Sequence, residues 1–223
     1  MSDEVFDHAV AEAVARYAAS SRLARGMMRG KLRVDPVYRE LLDRGIADAR
    51  RIVDLGCGRG LLFALILASR GGAERPDLHG IEIAESSARA ARSALGDAAT
   101  IVEADVSKQI VPPCDAVTLL DVAHYLPVPV QDDLLTRVRA ALPTGGRLFV
   151  READAAAGAG FFAVRAAERL AAIRAGDGLR RFAYRTVAEL SSRLEASGFS
   201  VTATPMGRGT PFSNVLLEAR ARA

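Results

Sequence analysis

Tryptophan is absent from the 223 residues, aromatics make up only 5%, and there are two cysteines, three histidines and two lysines. Cys57 and Cys114 are too few for a disulfide framework, and with scattered histidines they provide no zinc-ligand spacing, so no metal is expected. Long apolar runs are also missing. The longest, Leu61 to Ala68, is far too short to span a bilayer. The acidic stretch from Met1 to Glu12 lacks the basic and apolar regions of a signal peptide. These absences lead to the expectation of a cytoplasmic protein without a transmembrane segment. Nor is there a large charge excess: 30 Lys+Arg stand against 27 Asp+Glu, a net of +3. Half of the residues are hydrophobic, which excludes a disordered chain. Nineteen glycines without a triplet period exclude a collagen-like one. The length suits one domain with at most a small appendage.

What is present is an ordered alternation. From Ala9 to Leu32 apolar residues recur at helical spacing, with interruptions expected near Ser20-Ser21 and Gly26. Asp35 and Pro36 read as the N-cap and first position of a helix that runs to about Arg44 and ends at Gly45. Beyond Arg51, short apolar runs alternate with amphipathic stretches. Strands are expected at Ile52–Leu55, Leu78–Ile83, Thr100–Ala104, Asp115–Leu120 and Arg147–Arg151, and helices at Leu61–Ser69, Glu85–Leu95 and Val130–Leu142. Such alternation specifies a doubly wound α/β domain with a mostly parallel sheet. Later come helices at Phe161–Ala175 and Thr186–Ser197, the second opened by a Thr186/Glu189 capping box. Strands at Phe199–Thr204 and Asn214–Arg220 are close enough to pair as an antiparallel hairpin.

The chemistry-bearing segment is Val53-Asp54-Leu55-Gly56-Cys57-Gly58-Arg59-Gly60, between the first strand and the first helix of the sheet. A dinucleotide fingerprint, G-x-G-x-x-G, needs glycine at 61, where this chain has Leu61. A Walker loop needs G-K-[ST], which is absent. The G-x-G-x-G spacing resembles the glycine-rich motif of the class I, Rossmann-like methyltransferases that use S-adenosylmethionine (SAM), and the resemblance extends over roughly Arg51 to Arg220.

That resemblance implies a seven-stranded sheet of order 3-2-1-4-5-7-6 with an antiparallel last strand, residues 51–223 as the SAM-binding domain and residues 1–50 as an N-terminal helical lid. It implies that Glu82, beside Ile83, accepts from both ribose hydroxyls, that Asp105 and Val106 lie near the adenine, and that Leu120 and Asp121 pass the methionine part. Asp54 belongs near the cofactor's amino group, with Gly56, Cys57, Gly58 and Gly60 lying against its methionine and ribose portions. The Pro143-Thr144-Gly145-Gly146 turn resembles the family's P-G-G turn, with Thr144 inserted.

A sulfonium methyl is already activated, so the protein must mainly position an acceptor and exclude water. His124, Asp121, Arg151 and Glu152 follow the carboxyl ends of strands four and five, where ligands sit in open α/β sheets. His124 reads either as a general base oriented by Asp121 or as a turn residue capping the next helix. Arg151 and Glu152 read either as acceptor contacts or as a pair with one another.

The small net charge conceals a lopsided distribution. Residues 16–51 hold ten basic and four acidic side chains, and residues 161–185 hold six and two. In the resembled family both stretches commonly cover the acceptor, so they read either as the lid of an anionic acceptor, small or carrier-bound, or as the solvated faces of arginine-rich amphipathic helices. Lys31–Tyr38 resembles an entry segment of bacterial methyltransferases in aryl-polyene or polyketide-like pathways, which implies an aromatic or carrier-bound acceptor. An RNA or protein methyltransferase, or a non-catalytic SAM-binding protein, is the alternative. Against nucleic acid, strand four ends Leu119-Leu120-Asp121-Val122 instead of in an N-P-P-[YF] motif, and interleaved stacking aromatics are missing.

Overall fold

The computed structural model describes residues 1–71, 74–158, 161–162, 166, 182–207 and 213–223. Its strands form one seven-stranded sheet in the order β3-β2-β1-β4-β5-β7-β6. By internal contacts the chain divides into two units, Met1–Val117 and Thr118–Ala223.

The first unit begins with three helices: α1 (Asp3–Ala15), α2 (Arg22–Val34) and α3 (Pro36–Asp43). Ser21 caps α2 through the Ala24 amide at 3.2 Å, and Asp35 caps α3 through the Val37 amide at 3.2 Å. An N-cap oxygen satisfies amides that have no partner inside the helix. The break near Ser20-Ser21 is therefore real. Gly26 does not interrupt α2, because a single exposed glycine costs a helix only about 1 kcal/mol. Strands β1 (Arg51–Leu55), β2 (Asp77–Glu82) and β3 (Thr100–Glu103) pair in parallel, with Asp54 opposite Gly80 and Glu82 opposite Glu103. Between them run α4 (Leu61–Ser69) and α5 (Glu85–Leu95).

All six residues from Leu61 to Ile66 are buried, so α4 is apolar around its whole circumference. A helix of that kind must be covered on every side, and α1 supplies part of the cover through its packing on α4. Phe6, Val10, Ala13 and Val14 form the buried face of α1.

The second unit holds the rest of β4 (Ala116–Leu120), then α6 (Val128–Ala141), β5 (Arg147–Ala153), α7 (Val187–Ala196), β6 (Phe199–Pro205) and β7 (Asn214–Ala221). β7 runs antiparallel to both β5 and β6. The capping box at Thr186 is complete: its hydroxyl accepts from the Glu189 amide at 3.1 Å, and the Glu189 carboxylate accepts from the Thr186 amide at 2.8 Å. Those bonds hold the Glu189 carboxyl below its ordinary pKa. The helix expected at Phe161–Ala175 lies outside the described residues apart from positions 161, 162 and 166, and the glycine-rich turn after Met206 lies mostly outside them.

Candidate functional site

In the first unit, the loop after β1 turns through three glycines with positive φ, Gly56, Gly58 and Gly60. At Gly60 (φ +76°) the left-handed backbone and the space both demand glycine, since a Cβ would stand 2.7 Å from Leu95 and 3.2 Å from Ala91 of α5. Gly80 on β2 has no room for a Cβ either, because the thiol of Cys57 would lie 2.7 Å from it. Cys57 is thus a buried packing residue. Burial, with the charges of Asp54 and Glu82, pushes its thiol above the ordinary value, the opposite of what a nucleophile needs. Cys114 is likewise buried, its thiol pushed up to about 12.

The amides of this loop are already committed. Gly56 and Cys57 donate to the Ile81 carbonyl at 2.8 and 3.0 Å, and Gly58 donates to Glu82 Oε2 at 2.8 Å. A phosphate-binding loop keeps such amides for its anion. Here a carboxylate occupies the position of the anion at Gly58, which disfavours a pyrophosphate there by like-charge repulsion. Glu82 Oε1 accepts from the Ala84 amide at 2.8 Å. A carboxylate has about four acceptor sites, so two remain at the half-buried end of β2 to receive a pair of hydroxyls. Ile83, the next residue, is 61% exposed and presents a bare apolar face. This donor and acceptor set fits the nucleoside of SAM, which carries ribose hydroxyls and no phosphate.

Asp54 is buried at the end of β1. Asp105 is half-buried and accepts from the Ser107 amide at 2.9 Å, and Val106 is buried beside it. The sequence reading missed Tyr17. Treated there as one more apolar helical position, it is buried and donates its hydroxyl to the carbonyl of Arg59 at 2.7 Å, tying the N-terminal segment to the glycine loop. A tyrosine on an apolar stripe is itself the signal, since a buried phenol needs a partner.

In the second unit, the residues after β4 and at the end of β5 form two pairs that differ from the expected ones. Asp121 does not orient His124, and Arg151 does not pair with Glu152. The Arg151 Nε donates to Asp121 Oδ1 at 2.9 Å and its Nη2 donates to Oδ2, a two-pronged pair, while the Asp121 amide donates to the Arg151 carbonyl at 2.9 Å. Asp121 is also the one described non-glycine residue with positive φ, at 56°. Glu152 instead takes His124, with Oε2 2.7 Å from Nδ1 and Oε1 accepting the His124 amide at 3.3 Å. Successive side chains on a strand point to opposite faces, so neighbours 151 and 152 must find different partners.

His124 and Glu152 are both buried. Burial raises the Glu152 carboxyl above its ordinary value, and the hydrogen bonds to His124 oppose that rise. Aromatic rings surround the imidazole: Tyr184 stacks on it at 4.8 Å and 12°, Tyr125 lies at 4.2 Å and Phe182 at 5.9 Å, and Phe161 meets Tyr184 edge-on at 5.0 Å. Three of these four rings come from 161–184, so the low aromatic content of the chain is concentrated here. The strap 182–184 is pinned at Ala183 by one main-chain bond and by the Gln131 side chain. Ala183 donates to the His124 carbonyl at 2.8 Å, and the buried amide of Gln131 donates to the carbonyls of Ala183 and Leu126 at 2.8 and 2.9 Å. The Phe-Ala-Tyr alternation was the available signal for it. Leu120, the last residue of β4, is half-buried.

Four of the ten basic residues of 16–51, expected to form a cover, are engaged by the chain's own groups. Arg33 meets Asp7, Arg39 meets Asp3 and Asp43, Arg44 meets Glu40, and Arg25 donates to the Ala18 and Ser20 carbonyls. Of the second basic stretch, Arg185 is bound to Asp132 at 2.7 Å. Among the described residues no group of three His, Cys, Asp or Glu side chains is arranged to hold a metal ion, and no helix is long and apolar enough to cross a membrane.

Residues 8–204 match a protein family described as a methyltransferase domain. No curated protein matches the chain by sequence. Among solved structures, an O-methyltransferase family protein from Burkholderia thailandensis superposes with a TM-score of 0.68 at 16% identity, over 93% of this chain and 62% of that one. Human N-acetylserotonin methyltransferase in complex with SAM gives 0.62 at 18% identity, over 99% and 60%. The 1,6-didemethyltoxoflavin-N1-methyltransferase of Burkholderia thailandensis, with bound 1,6-didemethyltoxoflavin and S-adenosylhomocysteine, gives 0.65 at 18% identity, over 95% and 88%. This chain spans about three fifths of the length of the first two. At these identities the likeness is one of fold.

Proposed function

This chain belongs to the methyltransferase-domain family, and on that premise we propose that it is a SAM-dependent methyltransferase whose acceptor is a small or carrier-bound aromatic molecule bearing a hydroxyl. The observation that carries this reading is the Glu82 carboxylate, bound to the Gly58 amide and still able to accept two hydroxyls. When bound, SAM supplies a methyl group on a sulfonium, activated for transfer without a metal.

The residues of the chain then have separable tasks. Glu82 accepts from the ribose, Ile83 offers an apolar face to the adenine, and Asp105 and Val106 border it. Asp54 with the loop Gly56, Cys57, Gly58 and Gly60 contacts the amino-acid and ribose portions, and Leu120 and Asp121 border the methionine part. Arg151 holds Asp121 in position by the two-pronged pair. In this reading residues 1–50 are a helical lid and residues 51–223 the cofactor domain.

His124 serves as the general base toward the acceptor hydroxyl. With Glu152 ionised, Nδ1 carries the proton that faces the carboxylate, which leaves Nε2 as the basic atom. The proton taken at Nε2 produces an imidazolium whose charge Glu152 balances, as a buried carboxylate orients and supports a histidine base. The rings of Tyr125, Phe182 and Tyr184 favour a flat, apolar acceptor over a highly charged one. Three of the ten basic residues of 16–51, Arg33, Arg39 and Arg44, are paired with the chain's own carboxylates, which lessens the charge left for an anionic acceptor.

Calorimetric titration with SAM and with S-adenosylhomocysteine tests the reading. Saturable binding of both is expected, and binding of neither overturns it.

A further inference from the structure

The helix α2, Arg22–Val34, contains five basic residues and no acidic one. Only Met28 and Leu32 of it are buried. On a second face Leu23, Met27 and Val34 are 76%, 69% and 74% exposed, which makes them three of the most exposed large apolar side chains described. At 3.6 residues per turn these three lie within about 40° of one another around the axis, roughly opposite the buried pair. Gly30 falls in the same row, and a Cβ there or at Gly26 would meet nothing within 4 Å, so the row stands on open surface as far as Gly30, and only Val34 at its end borders a cavity. Exposed Lys31 flanks the row on one side, and exposed Arg22 and Arg29 flank it on the other. Arg25 and Arg33 are turned to the chain's own groups, the carbonyls of Ala18 and Ser20 and the carboxylate of Asp7.

An apolar row bounded on both sides by long cations, without an acid, has the composition of a helix that lies in a lipid–water interface. The apolar side chains enter the acyl boundary while the arginine and lysine stems reach back to anionic headgroups. A protein partner would be expected to meet aromatic anchors seated in complementary pockets. This row contains no aromatic residue, and the one cavity it borders, at Val34, is lined mostly by charged side chains, Asp3, Asp7, Asp35, Glu40 and Asp43 among them, and not by apolar ones that would seat an anchor. We propose that the α2 face docks on the surface of an anionic lipid bilayer, peripherally and reversibly, with Leu23, Met27 and Val34 inserted and Arg22, Arg29 and Lys31 on the headgroups. The proposal does not depend on the methyltransferase reading. If both hold, the acceptor reaches the enzyme from a membrane-bound pool.

Sedimentation of the full chain with vesicles tests it without reference to activity. Vesicles of phosphatidylcholine alone are compared with vesicles in which roughly a third of the lipid is phosphatidylserine. Binding is expected only to the second, weakening steeply as salt is raised. Replacing Arg22, Arg29 and Lys31 together with glutamine should weaken it roughly a hundredfold, at about one decade for each one or two cations lost near the surface. The double variant Leu23→Ser and Met27→Ser should weaken it tenfold or more, and both variants should keep the wild-type Tm because every changed side chain is exposed. Equal binding to both vesicle types, or no binding to either, overturns the proposal, as does wild-type binding by either variant. Concentration-dependent self-association abolished by the serine variant, without vesicle binding, would assign the face to a second copy and also overturns it.

Discussion

Glu152 Oε2 lies 2.7 Å from Nδ1 of His124, and its other oxygen accepts the His124 main-chain N–H at 3.3 Å, so one buried carboxylate fixes both the ring and the backbone of the same residue. A merely structural cap would need only the backbone bond. The second bond sets the tautomer, and with it the atom at which a proton is taken. Substituting Glu152→Gln preserves the shape and removes the charge. kcat is expected to fall by roughly 10² to 10⁴, as for loss of a group that supports a histidine base, with the Kd for SAM unchanged. His124→Gln should fall at least as far. A variant that lowers Tm but leaves kcat within a factor of two would return the pair to a structural role.

The pair Arg151–Asp121 makes an asymmetric prediction for stability. Arg151 is buried, whereas the Asp121 side chain is a third exposed and is hydrated if left alone. Asp121→Asn suits the left-handed backbone at φ 56°, so it isolates the loss of charge. It removes the carboxylate charge that faces a buried guanidinium and should cost about 1–2 kcal/mol, a buried-pair penalty discounted for the exposure of Asp121. Arg151→Met leaves the hydratable partner behind and should cost less. Urea unfolding of both variants decides the order, and a larger loss for Arg151→Met contradicts it.

Gly60→Ala should be among the most damaging single changes. It combines a left-handed conformation, at about 1–2 kcal/mol, with a Cβ 2.7 Å from Leu95, where overpacking costs a further 1–3 kcal/mol. A drop of about 2–5 kcal/mol in unfolding free energy is expected. Gly58→Ala, with open space around its Cβ, should lose only the backbone part.

Acid stability has an assignable contributor in the second unit. Arg185 and Arg193 both bind Asp132 and hold its carboxyl below the ordinary value. A depressed carboxylate pKa contributes stability that is complete above the unfolded-state value of about 3.9 and is lost as the pH falls through the folded-state value. Asp132→Asn should therefore flatten the pH dependence of Tm below about pH 4 and leave its slope near neutrality unchanged. An unchanged acid limb would contradict this.

Much of the fold was legible because it rests on local rules. α4 and α5 occupy Leu61–Ser69 and Glu85–Leu95 as expected, the first as an apolar run that follows the glycine loop and the second as an amphipathic stretch, and Asp35-Pro36 and Thr186/Glu189 cap the helices expected of them. The antiparallel pairing of Phe199–Pro205 with β7 follows from two strands that only eight residues separate in the sequence. The pairings in the second unit were not legible. Arg151 and Asp121 are 30 positions apart and Glu152 and His124 are 28 apart, so their meeting depends on strand register and on which face each side chain takes. Alternation on β5 excluded a 151–152 pair in principle, but nothing local named the partners. Tyr17 shows the same limit: spacing placed it on a buried stripe, and only the fold brings its hydroxyl to Arg59.

The most direct test of the central claim is the affinity of the Glu82→Ala variant for SAM, measured by calorimetry beside the wild type. Glu82 organises the Gly58 amide and accepts the ribose hydroxyls in this reading. Hydrogen bonds to a charged group are worth about 1.5–3 kcal/mol, so Kd should rise by roughly one to two orders of magnitude while the protein remains folded. Equal affinities for a folded variant would contradict the assignment of the end of β2 as the cofactor's ribose site.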